Sequence, residues 1–193
     1  YYLKKIRQYG AESALSVGWT DYLQVLLFEK ISSLLGRLKH DERCTLLDVG
    51  CGLGDYARYL YDHGYRGIDY TGIDIVPSMV ALARKKYPQY KFFVADFFDE
   101  SFMRTFDFIV CSGALNIISE KNYEAHGIFV LGFIRKMFDL SKRGCAFNLL
   151  CRDGMEFFPP DSRFYYADKN KVKEYCESFS KNVALNHDIK EFT

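Results

Sequence analysis

The run Leu46-Leu47-Asp48-Val49-Gly50-Cys51-Gly52-Leu53-Gly54-Asp55 constrains the fold more than any other part of the chain. Apolar residues of strand type lead into three alternating glycines, with a carboxylate two residues before the first. Glycine reaches left-handed backbone conformations at little cost and lets a ligand approach the main chain closely. A helix opened by such a loop presents free N–H groups. A second apolar segment, Tyr70-Thr71-Gly72-Ile73-Asp74, ends in another carboxylate. Strand, glycine loop, helix and acid-ended strand together describe a βαβ unit that binds a nucleotide-type cofactor.

The alternation continues along the chain. Thr20 caps a predicted helix from Asp21 to Leu38 with apolar residues at helical spacing. Strands are predicted at Thr45–Val49, Tyr70–Ile75, Tyr90–Ala95, Phe106–Cys111 and Cys145–Cys151, with a last one at Val183–Ile189. Between them lie a helix around Tyr56 and Leu60, one opened by Pro77 and closed before Pro88, a short helix or turn at Glu100–Arg104, and a long helix over Glu120–Leu140. Lys142-Arg143-Gly144 reads as a turn, and Asp168 as the cap of a further helix. Nearly continuous apolar strands separated by helices imply a parallel sheet buried on both faces. The fold class is therefore α/β, a doubly wound and mostly parallel sheet. Residues 1–40 read as an N-terminal helical cap or lid, and 41–193 as the Rossmann-like cofactor-binding domain.

Composition narrows the partners. A net charge of +1 over 193 residues gives no broad field for steering onto nucleic acid, and the basic clusters are short and scattered. No apolar run reaches membrane-spanning length. The six cysteines form no CxxC pair and no zinc spacing, which fits reduced thiols in a cytoplasmic protein and no metal. The chain opens on Tyr1 and stops at Glu191-Phe192-Thr193, which reads as the start of a strand, so both ends are expected to continue.

Two cofactor classes use a glycine loop of this kind. Gly52-Leu53-Gly54-Asp55-Tyr56-Ala57 satisfies the dinucleotide pattern, and Asp74 lies near the expected spacing of a ribose-binding acid. The charges separate the classes. Asp48 and Asp55 flank the place where a doubly anionic pyrophosphate would lie, which disfavours it. S-adenosylmethionine has no phosphate and brings an ammonium and a sulfonium, which carboxylates favour. A third acid, Asp96 in Val94-Ala95-Asp96-Phe97, is placed to accept from an adenine amine, with Phe97 beside it.

On Leu47 to Gly54, Gly72-Ile73-Asp74, Ala95-Asp96-Phe97 and Phe106 to Ser112, in that order and spacing, the chain resembles the class I S-adenosylmethionine-dependent methyltransferases. The resemblance implies a seven-stranded sheet whose last, antiparallel strand would start near Glu191 and is largely missing here. It also implies that the loop Gly50, Cys51, Gly52 and Gly54 cradles the methionine part, that Asp48 supports its amino group, and that Asp74 binds the ribose hydroxyls. Ile75 then packs on adenine, Asp96 binds its amine, and Ser112 and Gly113 pass close to the reacting methyl. The product would be S-adenosylhomocysteine.

The acceptor is less constrained. No Asn/Asp-Pro-Pro-Tyr stands after the fourth strand, where the chain reads Cys111-Ser112-Gly113-Ala114-Leu115-Asn116. A small molecule methylated on O or N is the default acceptor. RNA or protein methylation, a non-catalytic cofactor-binding module and, last, an NAD-linked oxidoreductase are the alternatives. Tyr9, Trp19 and Gln24 are candidates for a lid, with core anchoring as the other reading of Trp19. Asn116 and Asn148 would either bond the substrate or satisfy local backbone. Phe157, Phe158, Tyr165 and Tyr166 are a second candidate wall. His126 reads as a helix residue before a general base, and no catalytic residue is assigned. Oligomeric state is not legible.

Overall fold

The computed structural model describes residues 2–10, 13, 15, 20–36, 38, 42–99, 104–118, 122–153 and 161–186. In chain order the elements are α1 (Tyr2–Tyr9), α2 (Asp21–Ser32), β1 (Cys44–Val49), α3 (Asp55–Asp62), β2 (Ile68–Asp74), α4 (Pro77–Lys86), β3 (Lys91–Val94), β4 (Phe106–Cys111), α5 (Tyr123–Leu140), β5 (Ser141–Phe147) and α6 (Lys169–Glu177). The five strands form one parallel sheet in the order β3-β2-β1-β4-β5.

Successive side chains of a strand point to opposite faces, and both faces here are apolar. On one face Leu46, Phe108 and Val110 meet Phe28 and Ile31 of α2, Tyr56 and Leu60 of α3, and Val80 and Ala83 of α4. On the other, Leu47, Val49 and Ile109 meet Val130, Ile134 and Met137 of α5, and Cys176 of α6. That double cover confirms the doubly wound α/β class. The chain steps outward from β1 to β3 and then crosses back to place β4 against the other side of β1. The strand order reverses there, so a crevice opens beyond the carboxyl ends of β1 and β4.

Several element ends differ from expectation for local reasons. The helix from Thr20 is capped as expected, with Thr20 Oγ1 accepting from Leu23 N at 3.3 Å. It tightens into a 3-10 turn at Ser33–Leu35 instead of reaching Leu38, and Ser33 Oγ donates back to Lys30 O at 2.7 Å. The long helix starts at Tyr123, capped by Asn122. The fifth strand was expected at Cys145–Cys151 and runs over Ser141–Phe147. Helix α5 passes straight into it, and Lys142-Arg143 form a bulge, because Phe106 pairs with Ser141 but Phe108 pairs with Gly144. Val183–Asn186 is not a strand, and 187–189 lie outside the described residues. Five strands, not seven, stand among the described residues. The expected helix at Glu100–Arg104 falls almost wholly outside them.

Candidate active site

The glycine loop folds back onto β2. Gly50 N and Cys51 N both donate to Ile73 O, at 2.8 and 3.0 Å, and Gly52 N donates to Asp74 Oδ2 at 3.0 Å. Gly50 has φ +74°, and a Cβ there would stand 2.3 Å from Ala114 Cβ, so the start of the loop packs closely on the turn after β4. Gly54 also has positive φ and faces the Phe92 ring instead of the crevice.

A cavity of about 1650 Å³ covers these strand ends. Asp48, Gly50, Cys51, Gly52 and Asp74 line it from β1, the loop and β2; Ile75, Asp96 and Phe97 continue the wall. Ser112, Asn116 and Asn148 line it from β4 and the segment after β5, and Gln24 from α2. The structure thus brings together most of the residues singled out in sequence. Tyr9 does not line the cavity: it is exposed on α1, and Gln8 Nε2 donates to its hydroxyl at 2.9 Å. Trp19, Phe157 and Phe158 lie outside the described residues.

Asp74 ends β2 with its carboxylate held in place. Val76 N donates to Oδ1 at 2.9 Å and Gly52 N to Oδ2, with Ile75 N also facing it. An ionised carboxylate has about four acceptor sites, so Asp74 keeps capacity for a further donor from the cavity. Burial raises its pKa, and the backbone N–H groups oppose that shift. Ile75, next in the chain, is 69% exposed although it follows the buried Ile73, leaving an apolar surface at the cavity wall.

Asp48 is buried, with only 2% exposure, and Tyr70 donates to its Oδ2 at 2.5 Å. Burial pushes the Asp48 carboxyl up to about 7; the Tyr70 hydrogen bond acts downward and Asp74 upward. A carboxyl whose folded pKa lies above its unfolded value stabilises fully below the unfolded pKa, and that stability is lost as pH rises through the folded value. Asp48→Asn is accordingly expected to stabilise the cofactor-free chain by roughly 1–3 kcal/mol at pH 8 and by little near pH 4. Thermal unfolding at the two pH values checks this, and a loss of stability at pH 8 contradicts it.

Asp55 corrects the charge reasoning from sequence. It does not face the loop as a second repelling acid. Lys86 Nζ donates to it at 2.7 Å and Tyr87 Oη at 3.0 Å, both from the end of α4. The two side chains of this ion pair are only 15% and 19% exposed. Asp48, Asp74 and Asp96 line the cavity, and Asp55, which also lines it, has its charge balanced by Lys86. Lys86→Met is expected to lower stability by about 1 kcal/mol and to leave S-adenosylhomocysteine affinity within about twofold. A tenfold loss of affinity would place Asp55 in the site after all.

The remaining candidates divide by hydrogen bonding. Asp96 is exposed, and its Oδ1 accepts from Phe98 N at 2.9 Å. The Phe97 ring is buried against Phe133, and Phe98 is the exposed aromatic beside Asp96. Asn148 links the ends of β4 and β5: its Oδ1 accepts from Gly113 N at 2.7 Å, and its Nδ2 donates to Ser112 Oγ at 3.2 Å. Asn116 Oδ1 accepts from Leu150 N at 2.8 Å. Both asparagines therefore satisfy local backbone while lining the cavity. His126 is buried between Phe129 and Tyr165 with Nε2 at 3.0 Å from Leu115 O, a core position. Tyr166 lines the cavity; Tyr165 packs on Tyr123 and His126. Sequence reasoning missed Phe98 and Tyr70. The only sequence signal for Tyr70 is a hydroxyl-bearing ring in a strand that is otherwise buried.

Among the described residues no cluster of His, Cys, Asp or Glu could hold a metal, all six cysteines are free, and no helix is long and apolar enough to cross a membrane.

Sheet order, glycine loop and acid-ended strands define a Rossmann-like α/β domain with its cofactor crevice at the switch point. A family model described as a methyltransferase domain matches residues 46–127. The chain is 33% identical over 156 residues to Rv1506c of Mycobacterium tuberculosis (strain ATCC 25618 / H37Rv), described as a methyltransferase; the match covers 77% of this chain and 90% of that one. The chain belongs to the class I S-adenosylmethionine-dependent methyltransferases. Two solved structures share the fold. PH0226 from Pyrococcus horikoshii OT3 superposes with a TM-score of 0.57 at 20% identity, covering 91% of this chain and 88% of that chain. The plantazolicin methyltransferase BpumL, in complex with a pentazolic desmethylPZN analog and SAH, superposes with a TM-score of 0.55 at 17% identity, covering 81% of this chain and 58% of that chain. The cofactor is S-adenosylmethionine and the product S-adenosylhomocysteine.

Proposed function

We propose that the chain transfers a methyl group to an oxygen or nitrogen of a small-molecule acceptor held beyond the ends of β4 and β5. The observation that carries this is the chemistry of the wall there. Ser112, Asn116 and Asn148 are uncharged polar groups in a lining that also holds apolar side chains such as Phe98 and Phe129 and charged ones such as Asp161 and Lys169. A concave apolar wall with a few placed hydrogen-bonding groups suits a small organic ligand.

When bound, S-adenosylmethionine supplies an electrophilic methyl on a sulfonium, with a neutral thioether as leaving group. Asp74 accepts from the ribose hydroxyls, Asp48 faces the ammonium, and the backbone from Gly50 to Gly52 supports the methionine part. Ile75 packs on the adenine and Asp96 accepts from its amine. Asn148 fixes the Ser112-Gly113 turn, which sets the wall against which the acceptor rests. The chain's task is then to hold the acceptor in line and exclude water. Helix α2 packs on the sheet through Phe28 and Ile31 and brings Gln24 to the cavity. No side chain need act as base unless the acceptor must lose a proton.

The test is a screen with labelled methyl donor against small phenols, carboxylic acids and amines, with unmodified RNA and whole-cell protein run alongside. Label in a small molecule is the expected result. Label in RNA or protein alone would overturn the acceptor class and leave the cofactor intact.

A further inference from the structure

Binding of the cofactor leaves one feature of the cavity floor unexplained. Asp48 lines the cavity and Tyr70 is buried against it; the two are 2% and 3% exposed, with their oxygens 2.5 Å apart. Tyr70 occupies Oδ2, while Oδ1 has no hydrogen-bond partner among the described residues, and Asp48 lines the cavity. The titratable groups that face Asp48 are Tyr70 and Asp74 from β2, Cys51 from the glycine loop, Tyr56 from α3 and Cys111 from β4. None of them is a cation. A buried carboxylate with no positive partner and a second carboxylate nearby is costly to ionise. The direction of its pKa agrees.

We propose that the Asp48–Tyr70 pair couples cofactor binding to proton release: Asp48 holds a proton in the free protein and gives it up when the cofactor's ammonium settles beside it, with Tyr70 as the residue that positions the carboxylate. This rests on the reading of the cavity as the S-adenosylmethionine site. The O–H bond of the Asp48 carboxyl breaks, its proton passes to buffer, and the carboxylate left behind faces the ammonium, so charge balances without any redox partner. Tyr70 contributes because a phenol that donates to a carboxylate favours its ionised form. Tyr70→Phe removes that donor and keeps the ring that packs on Tyr90 and Phe92.

The experiment is calorimetric titration of the full chain with S-adenosylhomocysteine at about pH 6 and 7, below the usual α-amino range. Repeating each titration in buffers of different ionisation enthalpy counts the protons exchanged. Close to one proton released at pH 6, about half a proton at pH 7, and an affinity rising roughly fivefold between them are expected. Tyr70→Phe should weaken binding about fivefold at pH 7 and move the proton release to higher pH. Asp48→Asn should bind weakly, with no proton release and no pH dependence over this range.

Binding by the wild type without proton exchange, and with flat affinity, would overturn the coupling and leave the cofactor site standing. Proton release that survives in Asp48→Asn would also overturn it and move the titrating group to Asp74. Failure of the wild type to bind at either pH would instead overturn the cofactor-site reading.

Discussion

Gly50→Ala is expected to lower stability by about 2–5 kcal/mol and to weaken S-adenosylhomocysteine binding at least about tenfold. Two independent penalties act at this position. The backbone is left-handed, with φ +74°, and an added Cβ would lie 2.3 Å from Ala114 Cβ. Neither side can yield freely: Gly50 N is bonded to Ile73 O, and Ala114 follows Gly113, whose N–H is held by Asn148. Relief would push the glycine loop off β2 or the β4 turn out of the cavity wall. For a chain of this length the melting temperature should fall by roughly 5–15 °C. Gly132→Ala is the matched control. Gly132 lies exposed in α5 with nothing within 4 Å of a Cβ added there, and it should gain roughly 0.5–1 kcal/mol. An unchanged melting temperature and affinity in Gly50→Ala would contradict the close packing of the two turns.

Asp74→Ala is expected to weaken S-adenosylhomocysteine binding by roughly 1–3 kcal/mol, through loss of charge-assisted hydrogen bonds. The same change strips Gly52 N and Val76 N of their acceptor. A loss of stability of about 1 kcal/mol should accompany it, because the carboxylate is itself costly to bury. The two effects separate in parallel calorimetry and thermal unfolding. Affinity unchanged alongside reduced stability would leave Asp74 a loop anchor only and would remove it from ribose recognition.

Much of this site is legible in the sequence because its determinants are local. The glycine spacing, the acids that end β1 and β2, and the caps Thr20 and Asp168 depend on residues a few positions apart. The long apolar runs of β1 and β4 announce a sheet covered on both faces. What escaped depends on distant parts of the chain. Asp55 looks like a second acid at the loop until α4 brings Lys86 and Tyr87 against it. Tyr70 reads as an ordinary strand aromatic, and only the register of β2 on β1 sets its hydroxyl on Asp48. The displaced fifth strand has the same origin: Ser141-Lys142-Arg143-Gly144 has the composition of a turn, and pairing with β4 draws it into the sheet with a bulge. Asn116 and Asn148 could be placed near the site from sequence, but their backbone partners at Leu150 and Gly113 belong to other segments.

One measurement bears most directly on the cavity over β1, β2 and β4 as the site of S-adenosylmethionine. The chain would be titrated calorimetrically with S-adenosylhomocysteine, and separately with NAD and NADP. Binding of S-adenosylhomocysteine at roughly micromolar Kd, about −8 kcal/mol, with no heat from either dinucleotide, is the expected result. Binding of a dinucleotide in its place would contradict the assignment, since the cavity would then be receiving a pyrophosphate beside Asp48 and Asp74.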